Sequence, residues 1–427
     1  MTRIQRRYNQ PFFSNRRRSR VGPRFLFLYG LLLGGFLVFV STQFGRLQLA
    51  ALDAVGLAPT ATPFASSYAT QGTVLFREGD LEEAAAMYGQ AVRQQPDDIN
   101  YLYEYGRVLL ELDRTDEALR IAEDAIAAAP DDPRGYAVKA MGLMWSDPPA
   151  AIQAAILGKD VGPNFAPLYA ASGVAFYNLQ RYEEAIREGR RAIELDPNDA
   201  FVHLSSHFAL LYIGNYQGAI DAVRRAIELS PNLTVQYFYL ALLYSLPQVG
   251  EPEMAVAVYN RIIEMEPDNA RAYLRLCETF ARVEQADFGR AQEYCDQALE
   301  IDPNYGSAYR ETGRMQYNRR NYEGAIETFE TCVRFQENLP VNQQDIECWY
   351  LRGLAHFWLD QCQQAWDVLQ RASTLAIEQG QPASVMDSIE TGLYNITQIC
   401  DGFQQQTLPT APPPTSLPPT PIGGGFG

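Results

Sequence analysis

The chain is organised by a repeat of about 34 residues. The segment YEEAIREGRRAIELDPN, which starts at Tyr182, returns as YQGAIDAVRRAIELSPN from Tyr216. More distant copies start at Leu81 and Thr115. The prolines that close the copies lie 34, 33, 34, 34, 36 and 36 residues apart, at Pro96, Pro130, Pro163, Pro197, Pro231, Pro267 and Pro303. This period indicates helix–turn–helix units that stack on one another, because one unit cannot bury its apolar face alone.

The unit at 166–199 shows how the pattern works. Small residues recur where two helices must touch, and large apolar residues fill the space between them. The residue before a proline disfavours helix, so Asp196-Pro197 ends the unit. The marked positions are Tyr169, Gly173, Phe176, Tyr182, Ala185, Ala192 and Pro197. In these positions the unit resembles the tetratricopeptide repeat family.

The resemblance implies an all-α protein, a right-handed α-solenoid of about nine helix–turn–helix repeats over residues 65–380, with a capping helix at 381–402. Three departures stand out. Gly189 replaces an aromatic residue, His207 replaces a small one, and the repeats at 234–269 and 270–305 each carry two extra residues near the turn between their helices.

The N-terminal residues predict a membrane anchor. Residues 1–24 contain eight arginines and no acid, and Phe25–Phe44 has no charged residue over a length that spans a bilayer. We interpret 25–44 as an uncleaved transmembrane signal anchor, in contact with the lipid bilayer, rather than a cleaved signal peptide or a transit peptide. The positive-inside rule then leaves 1–24 as a cytoplasmic tail and the repeats extracytoplasmic, in a bacterial cell membrane.

Two flanking segments complete the predicted organisation. Residues 45–64 are a linker, and residues 403–427 form a tail rich in proline and glycine that is expected to be disordered. Gly30 and Gly34 have the G-x-x-x-G spacing that lets two membrane helices approach, which would allow a homodimer.

Charge argues against nucleic acid as a partner. The whole chain carries −16, so the residues after the basic N-terminal segment carry −24. A body this acidic repels phosphate.

The sequence offers no catalytic constellation, and we predict that the chain is not an enzyme and needs no cofactor or metal. His203 and His207 share a helix face as i and i+4, which is one way to begin a metal site. Both fall on repeat packing positions, however, and we favour packing over metal binding. No phosphate loop, nucleophile elbow or paired Cys-x-x-Cys site is present.

All six cysteines lie in the C-terminal third, which leaves two interpretations open. They could be small apolar fillers between helices, or disulfides if the repeats face an oxidising compartment. Sequence proximity favours the pairs Cys277–Cys295, Cys332–Cys348 and Cys362–Cys400.

The resemblance also predicts where partners bind, since in this family the inner face of the first helix of each repeat lines a concave groove. That carries over to an aromatic wall followed by an arginine cluster and further aromatic residues. The predicted groove residues are Tyr103, Trp145, Tyr177, Phe208, Tyr212, Phe238, Arg271, Arg282, Arg310, Arg314, Tyr350 and Trp358. Such a surface suits a peptide with apolar anchors and an acidic group. Alternatively, the arginines pair with the protein's own carboxylates.

The predicted function is a membrane-tethered scaffold or adaptor that binds peptide or protein partners in this groove. Two alternatives keep the same fold. One is a receptor or assembly factor on an organelle membrane with the repeats in the cytosol, and the other is the substrate-binding arm of a transferase complex.

Overall fold

The computed structural model describes residues 63–282 and 286–403. Within these ranges the chain forms nineteen α-helices and one short 3-10 helix, Val341–Gln343, with no strand. The α-helices are α1 (Ala65–Glu78), α2 (Leu81–Gln94), α3 (Ile99–Glu111), α4 (Thr115–Ala128), α5 (Pro133–Leu143), α6 (Pro148–Val161), α7 (Ala166–Asn178), α8 (Tyr182–Leu195), α9 (Ala200–Tyr212), α10 (Tyr216–Leu229), α11 (Thr234–Tyr244), α12 (Pro252–Met265), α13 (Ala270–Arg282), α14 (Phe288–Ile301), α15 (Gly306–Asn318), α16 (Tyr322–Gln336), α17 (Ile346–Trp358), α18 (Cys362–Gln379) and α19 (Ala383–Ile399).

Consecutive helices pack in pairs, and each pair stacks on the next. We number the pairs as repeats, from repeat 1 (α1 and α2) to repeat 9 (α17 and α18), and name the two helices of each repeat A and B. The last helix, α19, packs against α18. This arrangement is consistent with the predicted α-solenoid and confirms the all-α fold class of the described residues.

Acidic and amide side chains begin many of the helices. The Asp98 carboxylate accepts hydrogen bonds from the backbone N–H groups of Asn100 and Tyr101, and Asp199 accepts from that of Val202. Such N-caps satisfy donors that have no partner inside the helix. The aspartates and asparagines that follow the closing prolines therefore start the next helix as well as ending the turn.

Small residues let the helices approach closely. Ala91, Ala125 and Ala192, each on a B helix, have no exposed surface. A Cβ atom on Gly106 would come within 2.7 Å of Val138 Cγ1, and one on Gly313 within 2.7 Å of the Phe329 ring. These distances leave no room for a larger side chain, so the stacking depends on alanine or glycine at these places.

A recurring hydrogen bond joins repeats 3, 4, 6, 7 and 8 to the preceding repeat. The tyrosine in the first turn of helix A donates its hydroxyl to the carbonyl of the proline that closes the preceding repeat. The pairs are Tyr136 with Pro130, Tyr169 with Pro163, Tyr237 with Pro231, Tyr273 with Pro267, and Tyr309 with Pro303. This bond explains why aromatic residues recur at that position of the sequence.

The stack curves enough for repeat 1 to meet the end of repeat 5. The Asn232 side-chain amide, in the turn after α10, donates to the Arg77 carbonyl at 2.7 Å. Gly79 makes the approach possible, because it has a φ of +92° and a Cβ there would lie 2.7 Å from the Asn232 carbonyl oxygen. Repeats 1 to 5 therefore curve until their two ends are in contact.

Disulfides join the C-terminal repeats in the pairs that sequence proximity favours. Cys277–Cys295 lies within repeat 7, with an S–S distance of 2.12 Å. Cys332–Cys348 joins repeat 8 to repeat 9 at 2.05 Å, and Cys362–Cys400 joins repeat 9 to the segment after α19 at 2.03 Å. The cross-links occur only from repeat 7 onward, so the two halves of the stack are held together differently.

The predicted localisation needs correction. No helix among residues 63–282 and 286–403 is long and apolar enough to cross a membrane, so a single-pass membrane protein is not supported by the structure. The predicted span 25–44 and its Gly30 and Gly34 pair lie outside the described residues, as do the basic segment 1–24 and the tail from residue 404 onward.

Reduction should loosen the C-terminal repeats selectively. A cross-link that closes a loop of about 15 residues stabilises by roughly 3 kcal/mol in the chain-entropy account. We expect reductant to accelerate amide hydrogen exchange in α13 to α19 and to leave α1 to α10 little changed. The same protein, alkylated under denaturing and non-reducing conditions, should show no mass increase. Six labelled thiols would contradict the pairing.

Candidate functional site

Four aromatic side chains form a continuous row on the A-helix side of repeats 3 to 6. Trp145, just after α5, meets Phe208 edge-on with ring centroids 5.1 Å apart, and Tyr177 lies 5.4 Å from Phe208. Phe208 in turn meets Tyr239 edge-on at 5.5 Å. These geometries are favourable for aromatic pairs. We call Trp145, Tyr177, Phe208 and Tyr239 the aromatic row.

The predicted groove residues differ in how far a partner could reach them. Trp145 is 48% exposed and Tyr212 is 52% exposed, with Tyr212 stacked on Tyr182. Tyr103 and Phe238 are each only 8% exposed. The first two therefore present apolar surface to solvent, whereas Tyr103 and Phe238 are buried.

Two of the predicted arginines are occupied by the protein's own carboxylates. Arg310 contacts Asp345 at 2.8 Å, Glu278 at 3.1 Å and Glu347 at 3.5 Å. Arg314 pairs with Glu311, which has no exposed surface. For this half of the arginine cluster, the structure favours the interpretation that the arginines balance internal charge.

The other two predicted arginines are exposed. Arg271 lies over the Phe238 ring, 4.4 Å from its centroid, and Arg282 ends α13. Among the described residues, no carboxylate lies within 4.0 Å of either guanidinium group. Both side chains line a cleft of about 1040 Å³ between repeats 6 and 7.

Repeat 9 adds a second aromatic group. Trp358 is 56% exposed, donates its indole N–H to the Tyr317 hydroxyl at 3.0 Å, and stacks on Tyr322. Burial raises the pKa of Tyr350 to about 12, and the nearby Glu347 carboxylate contributes to the same rise. Tyr350 is therefore neutral across the physiological pH range. Its ring offers an apolar surface and its hydroxyl can donate a hydrogen bond.

Residues that the sequence analysis missed contribute to the same interior. Arg107 lies over the rings of Phe76 and Tyr103, at 5.7 and 5.5 Å. Burial raises the pKa of Tyr239, Arg271 lowers it, and Glu111 of repeat 2 raises it further. Arg107 could have been found from its register, since it takes the repeat position that Phe208 holds in repeat 5.

The two histidines of HLSSH have structural roles. The ring of His203 hydrogen-bonds through Nε2 to the Pro197 carbonyl at 2.8 Å, the position where other repeats use tyrosine. His207 is buried, contacts the rings of Phe208 and Tyr239, and hydrogen-bonds through Nδ1 to the Leu204 carbonyl. His207 replaces the small residue that the repeat pattern has at this position, and its larger side chain is accommodated by packing against rings of the aromatic row. No group of three or more metal-ligating side chains occurs within 63–282 and 286–403.

Comparisons with known proteins support the repeat identity. Three tetratricopeptide repeat profiles match residues 75–142, 166–199 and 281–340. These matches support a tetratricopeptide-repeat protein, a class made up mostly of scaffolds without enzymatic activity. No curated protein matches the chain.

One similar solved structure is a crystal structure of MamA. The match has 26% sequence identity and covers 37% of this chain and 90% of that chain, with a TM-score of 0.32. At this score the likeness carries no conclusion about fold or function.

His207 should make stability depend on pH. Burial lowers the pKa of His207 to about 4 from 6.5, so the folded chain resists the protonation that the unfolded chain accepts. The stability contribution is complete above about pH 6.5 and is lost as the pH falls toward 4, by up to about 3 kcal/mol. Urea unfolding at about pH 7 and about pH 4.5 should show a smaller loss for His207→Ala than for the unsubstituted chain. His203→Ala, the matched control, should keep the full loss. An unchanged loss in His207→Ala would refute this assignment.

Arg310 should matter for stability. Glu278 and Asp345 are both largely buried, and removing Arg310 takes away the positive charge that balances their carboxylates. Breaking a buried ion pair costs about 3 kcal/mol. We expect Arg310→Met to lower the free energy of unfolding by this amount. Arg261→Met, whose pair with Glu264 is exposed, should lower the free energy of unfolding much less, because solvent screens that pair. Equal effects of the two substitutions would show that the Arg310 network is not stabilising.

Proposed function

We propose that the protein is a scaffold or adaptor that binds peptide segments of partner proteins along the inner faces of its A helices. The tetratricopeptide matches support protein binding as the general role. The observation that carries the more specific proposal is the aromatic row, which ends in an exposed tryptophan and continues beside the exposed Tyr212.

The chemistry of the row suits a partner's side chains. Aromatic residues are enriched in the parts of interfaces that contribute most to affinity, because they bury a large apolar area at low entropic cost. The row's members already contact one another, so they are held in place before a partner arrives. Such preorganisation reduces the entropy lost on binding.

The curvature of repeats 1 to 5 favours an extended segment over a folded domain. The contact between Asn232 and Arg77 brings repeat 1 to the end of repeat 5. An extended chain fits between walls that approach this closely. A folded domain would have to open them.

The proposal is tested by mapping peptide binding onto the surface. Random peptides of about 12 residues displayed on phage would be selected on the immobilised chain, and the affinities of the enriched peptides measured with purified variants. We expect Trp145→Ala and Tyr212→Ala to weaken binding by roughly 10-fold or more each, as for interface anchors. Ile156→Ala and Leu157→Ala, which alter equally exposed apolar residues on helix B of repeat 3, are the matched controls.

The control variants should bind as well as the unsubstituted chain. Peptides that lose affinity for the Ile156 and Leu157 variants but not for the Trp145 and Tyr212 variants would place binding on the B helices and contradict the proposal. Thermal unfolding of each variant would show that the stack is intact.

A further inference from the structure

The cleft between repeats 6 and 7 coincides with the two repeats that depart from the 34-residue period. In repeat 4 the helices are separated only by residues 179–181, but in repeat 6 they are separated by residues 245–251. Ser245, Leu246, Pro247 and Gly250 from this longer connection line the cleft. The extra length therefore builds part of a cavity wall.

One side of the cleft is apolar. Phe238, Leu242 and Leu246 line it from repeat 6, and Leu242 is 54% exposed to solvent. Val256 and Tyr259 extend this wall along α12. An exposed leucine facing a cavity of about 1040 Å³ leaves room for a large apolar side chain from another molecule.

The opposite side carries charge. Two of the three acidic residues that line the cleft have arginine partners: Glu278 pairs with Arg275 and Arg310, and Asp287 lies 3.7 Å from Arg290. The third, Glu253, lies at the start of α12. Arg271 and Arg282 have no such partner among the described residues. These two exposed arginines therefore bring positive charge to the cleft that a carboxylate of a partner could neutralise.

The setting of Arg271 prepares it for an anion. Its guanidinium group lies over the Phe238 ring, which restricts its orientation while leaving its N–H edge free to donate. Arginine donates paired hydrogen bonds to a carboxylate in a planar fork, so a fixed guanidinium plane favours that ligand.

We propose that this cleft is an anchor site for a partner peptide that carries an aspartate or glutamate next to a bulky apolar residue. The carboxylate contacts Arg271, Arg282 adds positive charge at the other end of α13, and the apolar side chain packs against Leu242 and Leu246. This assignment rests on the proposed function, because it specifies which peptides the groove selects. It also assigns different roles to the two halves of the arginine cluster. Arg271 and Arg282 face the partner, whereas Arg310 and Arg314 form ion pairs within the fold.

The test is a change of specificity. Phage selections with the same random peptides would be run on the unsubstituted chain and on the double variant Arg271→Glu/Arg282→Glu. The unsubstituted chain should enrich an acidic residue beside Phe, Leu, Ile or Trp, and these peptides should bind the double variant at least roughly 10-fold more weakly. The double variant should instead enrich Lys or Arg, which loss of structure alone could not produce.

A matched control makes the same change of charge at a place distant from the cleft. Arg225→Glu/Arg261→Glu alters two exposed arginines on B helices that pair with Glu228 and Glu264. This variant should enrich the same acidic peptides as the unsubstituted chain. Raising the salt concentration should weaken their binding to both, because the contact is electrostatic.

The outcomes separate the two proposals. Peptides that lack acidic residues, bind the Arg271 and Arg282 variant normally and depend on Trp145 and Tyr212 would overturn the anchor site and leave the groove proposal standing. Selections that enrich no peptide on the unsubstituted chain would overturn both. Direct binding of sodium decanoate that is lost in the Arg271→Glu/Arg282→Glu variant, without any peptide enrichment, would indicate a small carboxylate ligand and would overturn the peptide assignment.

Discussion

The close contact of helices at alanine and glycine is the constraint on which the rest of the structure depends. Alanines such as Ala91 and Ala192 are fully buried, and Gly106 and Gly313 sit where one added carbon atom would overlap a neighbouring side chain. Because each repeat can bury its apolar surface only against the next, these contacts hold the whole stack. The tyrosine-to-proline hydrogen bonds then set how one repeat sits on the previous one.

Packing through small residues leaves the inner positions of the A helices free. Large aromatic residues that a compact domain would bury can stand partly exposed, as Trp145 and Tyr212 do. The aromatic row is continuous because successive A helices are neighbours in the stack. A surface of this kind needs no catalytic group to be useful, since its geometry and chemistry select what binds.

Different contacts hold neighbouring repeats together in the two halves of the stack. Repeats 1 to 5 curve until repeat 1 contacts the turn after repeat 5, where Gly79 permits the approach. From repeat 7 onward, disulfides and the ion pairs around Arg310 hold neighbouring helices. Between them lie the longer repeats 6 and 7, whose added residues form a cleft instead of a closer contact.

The sequence by itself determined the repeating helix pair, the small residues at the contacts and the face of each A helix that carries aromatic residues. These features are local and periodic, so they can be read along the chain. Tertiary structure alone decided that Arg310 is occupied while Arg271 is exposed, that Tyr103 and Phe238 are buried, and that Tyr239 joins the aromatic row. These outcomes depend on the small rotation between one repeat and the next, which accumulates over many repeats, and on which carboxylates a long side chain can reach. Neither the rotation nor the reach produces a periodic pattern in the sequence, so neither can be read from it.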